Sequence, residues 1–176
     1  NPADDVEAQA AVLAAAQYEG PVYLRFGRLA APVFNGPDYQ FQMGKGVTLR
    51  EGSDLTILAT GILVYESLQA AEALAKEGIS ARVINIHTIK PLDKELVVQA
   101  ARETGVLLTA EEHSVIGGLG AAVAEAIGEE CPVPVVRVGI KDSFGNSGKG
   151  GELLAEYGLC SENIAAEAKR ALTLKK

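Results

Sequence analysis

The feature that most constrains the fold is a regular alternation, from residue 46 onward, of short apolar runs with segments of helical periodicity. Residues 55–60 form a largely apolar run of strand length, and residues 62–76 carry apolar side chains at the spacing of one helix face. Continuous apolar strands are typical of a parallel sheet that is covered on both faces. Strands that alternate with helices therefore predict βαβ units and an α/β fold.

The same criteria divide the rest of the chain into elements. From residue 44 onward the pattern predicts five strands, at 46–50, 55–60, 81–86, 106–110 and 134–138. It also predicts five helices, at 62–76, 94–103, 119–127, 151–157 and 161–172. Ahead of these elements we predict an alanine-rich helix over 4–16, a short strand over 22–26 and an irregular linker up to residue 43.

Composition excludes several classes of protein. The 176 residues are 48% hydrophobic, which rules out disorder, and the net charge of −7 argues against a nucleic-acid surface. No apolar run reaches the roughly 18 residues of a membrane span, so no membrane partner is expected. The chain starts at Asn1 with neither an initiator Met nor a targeting segment, and we expect it to be part of a longer polypeptide.

Residue types that bind metals or form disulfides are sparse. Cys131 and Cys160 lack CxxC spacing and are interpreted as reduced thiols of a cytosolic protein. His87 and His113 have no second ligand at metal-binding spacing, so no metal site is predicted. His87 is interpreted as a hydrogen-bonded residue at a strand end. Ser147 lies in a glycine-containing segment that lacks phosphate-loop spacing and is interpreted as a surface loop.

The most distinctive local pattern opens the helix predicted at 119–127. Gly117, Gly118 and Gly120 lie between a strand and that helix, where main-chain N–H groups could bind an anion. The dinucleotide-binding fingerprint is incomplete, since position 123 is Val. We favour the interpretation that these glycines permit a tight turn and close packing of helix on sheet. An anion-binding turn is the alternative.

Three polar residues just before this turn are candidates for an interface or the edge of a site. Glu111, Glu112 and His113 follow the strand predicted at 106–110, and ligands of parallel sheets bind at the carboxyl ends of strands. A histidine beside carboxylates can act as a general acid or base. We favour a hydrogen-bonded interface histidine over a catalytic one.

Arg25 and Arg28 flank the end of the strand predicted at 22–26. Guanidinium groups bind phosphates and carboxylates through paired hydrogen bonds, so either arginine could hold an anionic ligand. From the residues alone, a salt bridge to nearby acids is the simpler interpretation.

Six segments carry a family resemblance: GPVYLRFGR at 20–28, GKG at 44–46, LTILATG at 55–61, HTIKPLD at 87–93, EEHSVIGGLG at 111–120 and DSFGNSG at 142–148. In this order they resemble the C-terminal part of a transketolase, over nearly the whole chain. The wider thiamine-diphosphate family includes 1-deoxyxylulose-5-phosphate synthase and the beta subunits of 2-oxoacid dehydrogenases. The glycine-rich helix start and the last segment are most similar to split transketolases, whose C-terminal half is a separate polypeptide.

The resemblance implies a fold and a domain division. It implies a three-layer α/β/α sandwich on a mostly parallel, five-stranded mixed sheet whose first strand is antiparallel to the others. Residues 1–28 would be the end of a pyrimidine-binding domain, 29–43 a linker, and 44–176 the transketolase C-terminal domain.

The resemblance also implies a function that depends on other parts of the enzyme. A complete transketolase uses thiamine diphosphate and Mg²⁺ to transfer a two-carbon ketol unit between sugar phosphates. The segments that bind this cofactor are not in the chain, so we expect the chain alone to be inactive and not to bind it. Arg28 matches a family arginine that contacts the sugar phosphate, which reverses the simpler interpretation above, and no residue is assigned a catalytic role.

The expected partner is the N-terminal, diphosphate-binding portion or subunit of the same enzyme, in a homodimer or a heterotetramer located in the cytoplasm. This chain would mainly stabilise the dimer. Two alternatives stay open. One keeps the family and changes the reaction, to 1-deoxyxylulose-5-phosphate synthesis or 2-oxoacid decarboxylation. The other is a regulatory α/β domain that binds a nucleotide or phosphate at the glycine turn.

Overall fold

The computed structural model describes residues 1–175, which fold into six helices and five strands. The helices are α1 (Asp5–Gln17), α2 (Leu63–Lys76), α3 (Lys94–Thr104), α4 (Leu119–Gly128), α5 (Gly150–Glu156) and α6 (Ser161–Leu172). The strands are β1 (Val47–Arg50), β2 (Leu55–Ala59), β3 (Ala81–Asn85), β4 (Leu107–Ser114) and β5 (Val135–Ile140). Every element predicted after residue 44 is present within a few residues of its predicted bounds.

The five strands form one mixed sheet in the order β1-β3-β2-β4-β5. β1 is antiparallel to β3, whereas β3, β2, β4 and β5 are mutually parallel. β2 lies at the centre, and all five of its residues are buried, as its apolar sequence predicts for a strand covered on both faces. The mixed sheet with an antiparallel first strand is therefore confirmed.

Helices cover both faces of the sheet, because neighbouring residues of a strand point to opposite sides. On one face Ile57 and Leu108 belong to a core that includes Leu63 of α2 and Ile164 of α6. On the other face Leu58, Ile84 and Leu107 pack with residues of α3 and α4, among them Val97, Leu119 and Val123. The three-layer α/β/α sandwich is confirmed.

The strand predicted over 22–26 is not formed. These residues have no regular secondary structure and pair with no strand among residues 1–175, and the side chain of Tyr23 is 86% exposed. A β-branched and aromatic sequence fits a strand only when a neighbouring strand supplies hydrogen-bond partners. No helix or strand is found from residue 18 to residue 46, which includes the predicted linker.

Helix α1 forms as predicted and buries a side that carries a carboxylate. Asp4 caps it by accepting a hydrogen bond from the Glu7 N–H at 2.9 Å. Glu7 and Ala11 are the buried residues of this helix, whereas Val12 and Leu13 are exposed. The helix therefore contacts the rest of the chain through a side that contains a carboxylate.

Cys131 and Cys160 are both free thiols. Among residues 1–175 there is no helix with the length and apolar character that crossing a bilayer requires.

Candidate functional site

A cleft of about 510 Å³ lies at the carboxyl edge of the sheet. The ends of β2, β3 and β4 line it together with residues 21–25. β2 continues through α2 to β3, whereas its neighbour β4 continues through α4 to β5 on the opposite side. The cleft thus lies where the strand order reverses, which is the usual ligand position in sheets of this type.

The glycine turn at the start of α4 is occupied by a carboxylate of the chain itself. Glu111 is buried, and its two oxygens accept hydrogen bonds from the N–H groups of Leu119 at 2.7 Å and Gly120 at 2.9 Å. A negative charge at a helix N-terminus is stabilised by the helix dipole. An anion from solution would have to displace Glu111, and a ligand at this turn stays a prediction.

Close packing accounts for these glycines. A Cβ on Gly118 would overlap the Glu111 carboxylate and lie 2.6 Å from the Ser114 carbonyl oxygen. A Cβ on Gly120 would lie 2.7 Å from Arg137 Cδ. Gly117 has a φ of +73°, a conformation that glycine adopts without strain. The geometry therefore supports the packing interpretation of the turn.

The other two candidates at this edge differ from Glu111. β4 extends to Ser114, beyond its predicted end, so Glu112 and His113 lie inside the strand. Glu112 is half-buried, and its carbonyl oxygen accepts a hydrogen bond from Arg25 Nη2 at 2.9 Å. His113 is exposed at the cleft, and its ring has no hydrogen-bond partner among the described residues. An interface role for His113 stays a prediction.

The two arginines of the first segment have different surroundings. Arg25 joins residues 21–25 to β4 through its hydrogen bond with Glu112. Arg28 is exposed and forms neither a hydrogen bond nor an ion pair within residues 1–175. The salt bridge that the residues alone suggest is found for neither arginine in this part of the chain. The Arg28 guanidinium keeps all its donors available for a ligand.

The His87 ring has fewer hydrogen-bond partners than the sequence suggests. It is 3% exposed, its Nδ1 lies 2.8 Å from Thr88 Oγ1, and its ring lies against Phe41 with 4.3 Å between centroids. Its Nε2 is buried without a partner in the described structure. Burial lowers the pKa of His87, although the charge of Glu7 acts in the opposite direction.

Sequence reasoning missed a buried polar cluster at the start of α1. Glu7 is fully buried and accepts hydrogen bonds from the Ala3 N–H at 2.7 Å, from Asn85 Nδ2 at 2.8 and 3.0 Å, and from the Tyr39 hydroxyl. Burial and this bond to Glu7 raise the pKa of Tyr39. Asp4 and Glu7 have the spacing of a capping box, which is the one sequence signal that could have revealed the cluster.

The second carboxylate of this cluster binds the linker. One oxygen of Asp4 accepts hydrogen bonds from the N–H groups of Phe34 at 3.0 Å and Asn35 at 2.8 Å. Burial by itself would raise the pKa of Asp4, but the hydrogen bonds that it accepts from main-chain N–H groups lower it overall. The start of α1 is thereby joined to both the linker and the sheet.

The donor set of the described residues does not fit a magnesium diphosphate group. They contain no group of three His, Cys, Asp or Glu side chains placed to hold a metal ion. The N–H groups that open α4 beside the cleft are used by Glu111. The cleft edge alone therefore lacks the ligands for such a cofactor.

Comparison with known proteins identifies the family. Residues 44–164 match the family described as "Transketolase, C-terminal domain". The chain belongs to the transketolase family. It is 48% identical, over 167 residues, to the 6-deoxy-6-sulfo-D-fructose transketolase subunit SqwH of Clostridium sp. (strain MSTE9). That match covers 95% of this chain and 52% of the relative.

Two further members of the family are similar to this chain. The 1-deoxy-D-xylulose-5-phosphate synthase of Syntrophotalea carbinolica is 42% identical, over 96% of this chain and 27% of its own length. A solved structure titled "Split gene transketolase, inactive beta4 tetramer" superposes with a TM-score of 0.96 and 51% identity, over 99% of this chain and 57% of that one. The chain spans about half the length of its transketolase relatives.

Proposed function

We propose that this chain forms the C-terminal part of a complete transketolase, which transfers a two-carbon ketol unit between sugar phosphates, and that Arg28 binds the substrate phosphate. The observation that carries the proposal is the position of Arg28. It is exposed, lies three residues beyond Arg25 at the cleft, and has no partner among the described residues. A planar guanidinium with free donors suits a phosphate.

The proposed domain division is 1–28 for the end of a pyrimidine-binding domain, 29–43 for a linker and 44–176 for the C-terminal domain. The sequence of residues 22–26 supports it, because these strand-like residues pair with no strand within the described structure. The exposed side chains of Tyr23 and Phe26 fit a strand whose neighbours belong to another part of the enzyme. The family match begins at residue 44, where the third part starts.

The proposed partner is a diphosphate-binding N-terminal portion or subunit, in a homodimer or a heterotetramer. The similar split-gene structure is described by its title as an inactive beta4 tetramer. By analogy, this chain would be inactive alone and would mainly stabilise the assembly. Thiamine diphosphate, held with Mg²⁺ elsewhere in the enzyme, supplies the carbanion chemistry. The part of this chain would be to orient the phosphate end of the substrate.

Two alternatives differ in how well the chain supports them. Synthesis of 1-deoxyxylulose 5-phosphate is compatible with the 42% identity to such a synthase, but the identities to the transketolase subunit and the split-gene structure are higher. None of the relatives named above is a 2-oxoacid dehydrogenase. A regulatory phosphate or nucleotide site is disfavoured because Glu111 uses the N–H groups at the start of α4.

The test is Arg28→Ala in the complete assembly, assayed with phosphorylated and unphosphorylated acceptors. A charge-assisted hydrogen bond to phosphate is worth about 1.5–3 kcal/mol, so KM for the phosphorylated acceptor should rise about tenfold or more. KM for the unphosphorylated acceptor should stay within about twofold. An equal rise for both acceptors would remove the phosphate role. The matched control is Arg170→Ala, an exposed arginine of α6 that pairs with Glu167.

A further inference from the structure

The segment that carries Arg28 is attached to the α/β sandwich on both sides of that residue. Before it, Arg25 donates a hydrogen bond to the carbonyl oxygen of Glu112 in β4 at 2.9 Å. Immediately after it, Leu29 packs on the start of α5. A Cβ on Gly150 would overlap this leucine, lying 2.8 Å from its Cδ1. Arg28 thus lies between an anchor on the sheet and an anchor on a helix.

The chain that follows is anchored a second time, at the start of α1. The N–H groups of Phe34 and Asn35 donate to Asp4, and the hydroxyl of Tyr39 donates to Glu7. These contacts leave a span of only a few residues between Leu29 and Phe34. A short span fixed at both ends has few conformations, because its closure entropy has already been lost.

Glu7 is one of the groups that join the linker to the sheet, through Tyr39 and Asn85. It is fully buried, and so is Asn85, the last residue of β3, which donates to both carboxylate oxygens. A buried carboxylate is tolerated only when donors surround it. The donors here come from the turn before α1, from the linker and from β3. Loss of this one carboxylate would leave groups of three segments without their acceptor.

We propose that Glu7 is a positioning residue that holds the segment 28–41 on the α/β sandwich and thereby limits where the main chain can place Arg28. The effect of Glu7 on the reaction rests on the proposed function of Arg28. Its effect on the segment does not, because that depends only on the contacts between Glu7, Tyr39 and Asn85. The two parts can therefore be tested separately.

The informative substitution is Glu7→Gln, which keeps the shape of the side chain. A glutamine at this position has one acceptor oxygen and an NH₂ group that would face a donor. Asp5→Asn is the matched control, because Asp5 is an exposed carboxylate in the first turn of the same helix and bonds only to Gln9 within the described residues. Both changes remove one negative charge from the start of α1.

The first readout is hydrogen exchange of the main-chain N–H groups in 28–41, measured in the complete assembly. Glu7→Gln should speed exchange there by about tenfold, because local opening becomes easier, while α3 and α4 are unchanged. Asp5→Asn should leave exchange as in the natural protein. Unchanged exchange in Glu7→Gln would overturn the positioning role, whatever the substrate kinetics show.

The second readout is the kinetic effect on phosphorylated acceptors. Glu7→Gln should raise KM for a phosphorylated acceptor about three- to tenfold with little change in kcat or in KM for an unphosphorylated one. In an Arg28→Ala background the same substitution should add nothing, since it acts through Arg28. Additive effects would overturn the coupling. A failure of Arg28→Ala to act on phosphorylated acceptors would instead overturn the proposed function.

A rescue variant keeps the test valid if Glu7→Gln folds poorly. In Glu7→Gln combined with Asn85→Asp, the new amide would donate to the new carboxylate, and the polar pair would be restored in reverse. The double variant should restore slow exchange in 28–41, and it should bring KM for the phosphorylated acceptor most of the way back to that of the natural protein. A double variant as impaired as Glu7→Gln would overturn the role of this pair. Tyr39→Phe removes one donor only and should cause a smaller change in the same direction.

Discussion

Oε2 of Glu111 lies 2.7 Å from the main-chain nitrogen of Leu119, so a strand residue caps the helix that follows it. This relationship determines what the cleft can bind. In many α/β proteins the N–H groups at such a helix start hold a phosphate, whereas here they hold a carboxylate of the chain. Arg25 and Lys90 line the cleft, and Arg28, which is proposed to bind the substrate phosphate, follows three residues after Arg25.

Replacement of Glu111 by alanine should destabilise the chain by about 2–4 kcal/mol, because two N–H groups at the start of α4 lose a charged acceptor. Urea unfolding of the purified chain at fixed concentration measures this change. The control is Glu112→Ala, which removes a half-buried side chain without a hydrogen-bond partner among residues 1–175 and should change stability by about 0.5 kcal/mol or less. Equal losses in the two variants would contradict the capping role.

Gly118→Ala should cost about 2–4 kcal/mol, since the added Cβ would overlap the Glu111 carboxylate and approach the Ser114 carbonyl oxygen. Gly128→Ala at the other end of α4 is the matched control. A Cβ there meets nothing within 4 Å, and alanine favours helix over glycine, so stability should be unchanged or increase by up to about 1 kcal/mol. Thermal unfolding compares the two, and a tolerated Gly118→Ala would contradict the described turn.

The stability of the chain should decrease as the pH falls through the region near 6.5. Burial lowers the pKa of His87 below its ordinary value of 6.5, so below that pH the unfolded state binds the proton more readily. The slope contributed by one proton is at most about 1.4 kcal/mol per pH unit. His87→Gln should flatten the dependence between about pH 7.5 and 5.5. His113→Gln is the control. If the pH dependence were lost in that variant and not in His87→Gln, the attribution to His87 would be wrong.

Tyr39 should stay protonated in the folded protein at pH values where an exposed tyrosine ionises, near pH 10. Burial and the hydrogen bond to Glu7 raise its pKa. The ultraviolet titration of Tyr39→Phe should therefore coincide with that of the natural chain until alkaline unfolding begins. A smaller phenolate signal in Tyr39→Phe before unfolding would show that the hydroxyl is open to solvent.

The sequence predicted most of the α/β sandwich because its signals are local. The apolar run at Leu55–Ala59 and the helical spacing of 62–76 each show which residues of that element are buried, and neither depends on distant parts of the chain. The antiparallel first strand came from the family resemblance, since hydrophobic periodicity carries no information on strand direction. Residues 22–26 show the limit of local signals, because strand-like residues do not form a strand without a neighbour in the described structure.

The site was less predictable because its contacts join residues far apart in the chain. Glu111 pairs with Leu119 across a short turn, and its position beside a glycine-rich helix start was visible in the sequence. The pairing of Glu7 with Asn85 spans 78 residues, and an acidic residue in the first turn of a helix is ordinarily solvated. Only the fold brings that turn to the end of β3 and makes the carboxylate part of the core.

The burial of Glu7 in α1 bears on the residue at which an expressed form of this domain should begin. The family match starts at residue 44, which suggests that residue as the first one of an expressed α/β sandwich. A chain that begins there would lack Glu7, so Asn85 would lose its hydrogen-bond acceptor. The carboxyl end of β3, which is buried here, would then be exposed to water. A chain that begins before Ala3 keeps Glu7 and the N–H group of Ala3 that donates to it. The first residue that preserves the fold therefore lies some forty residues before residue 44, where the family match starts.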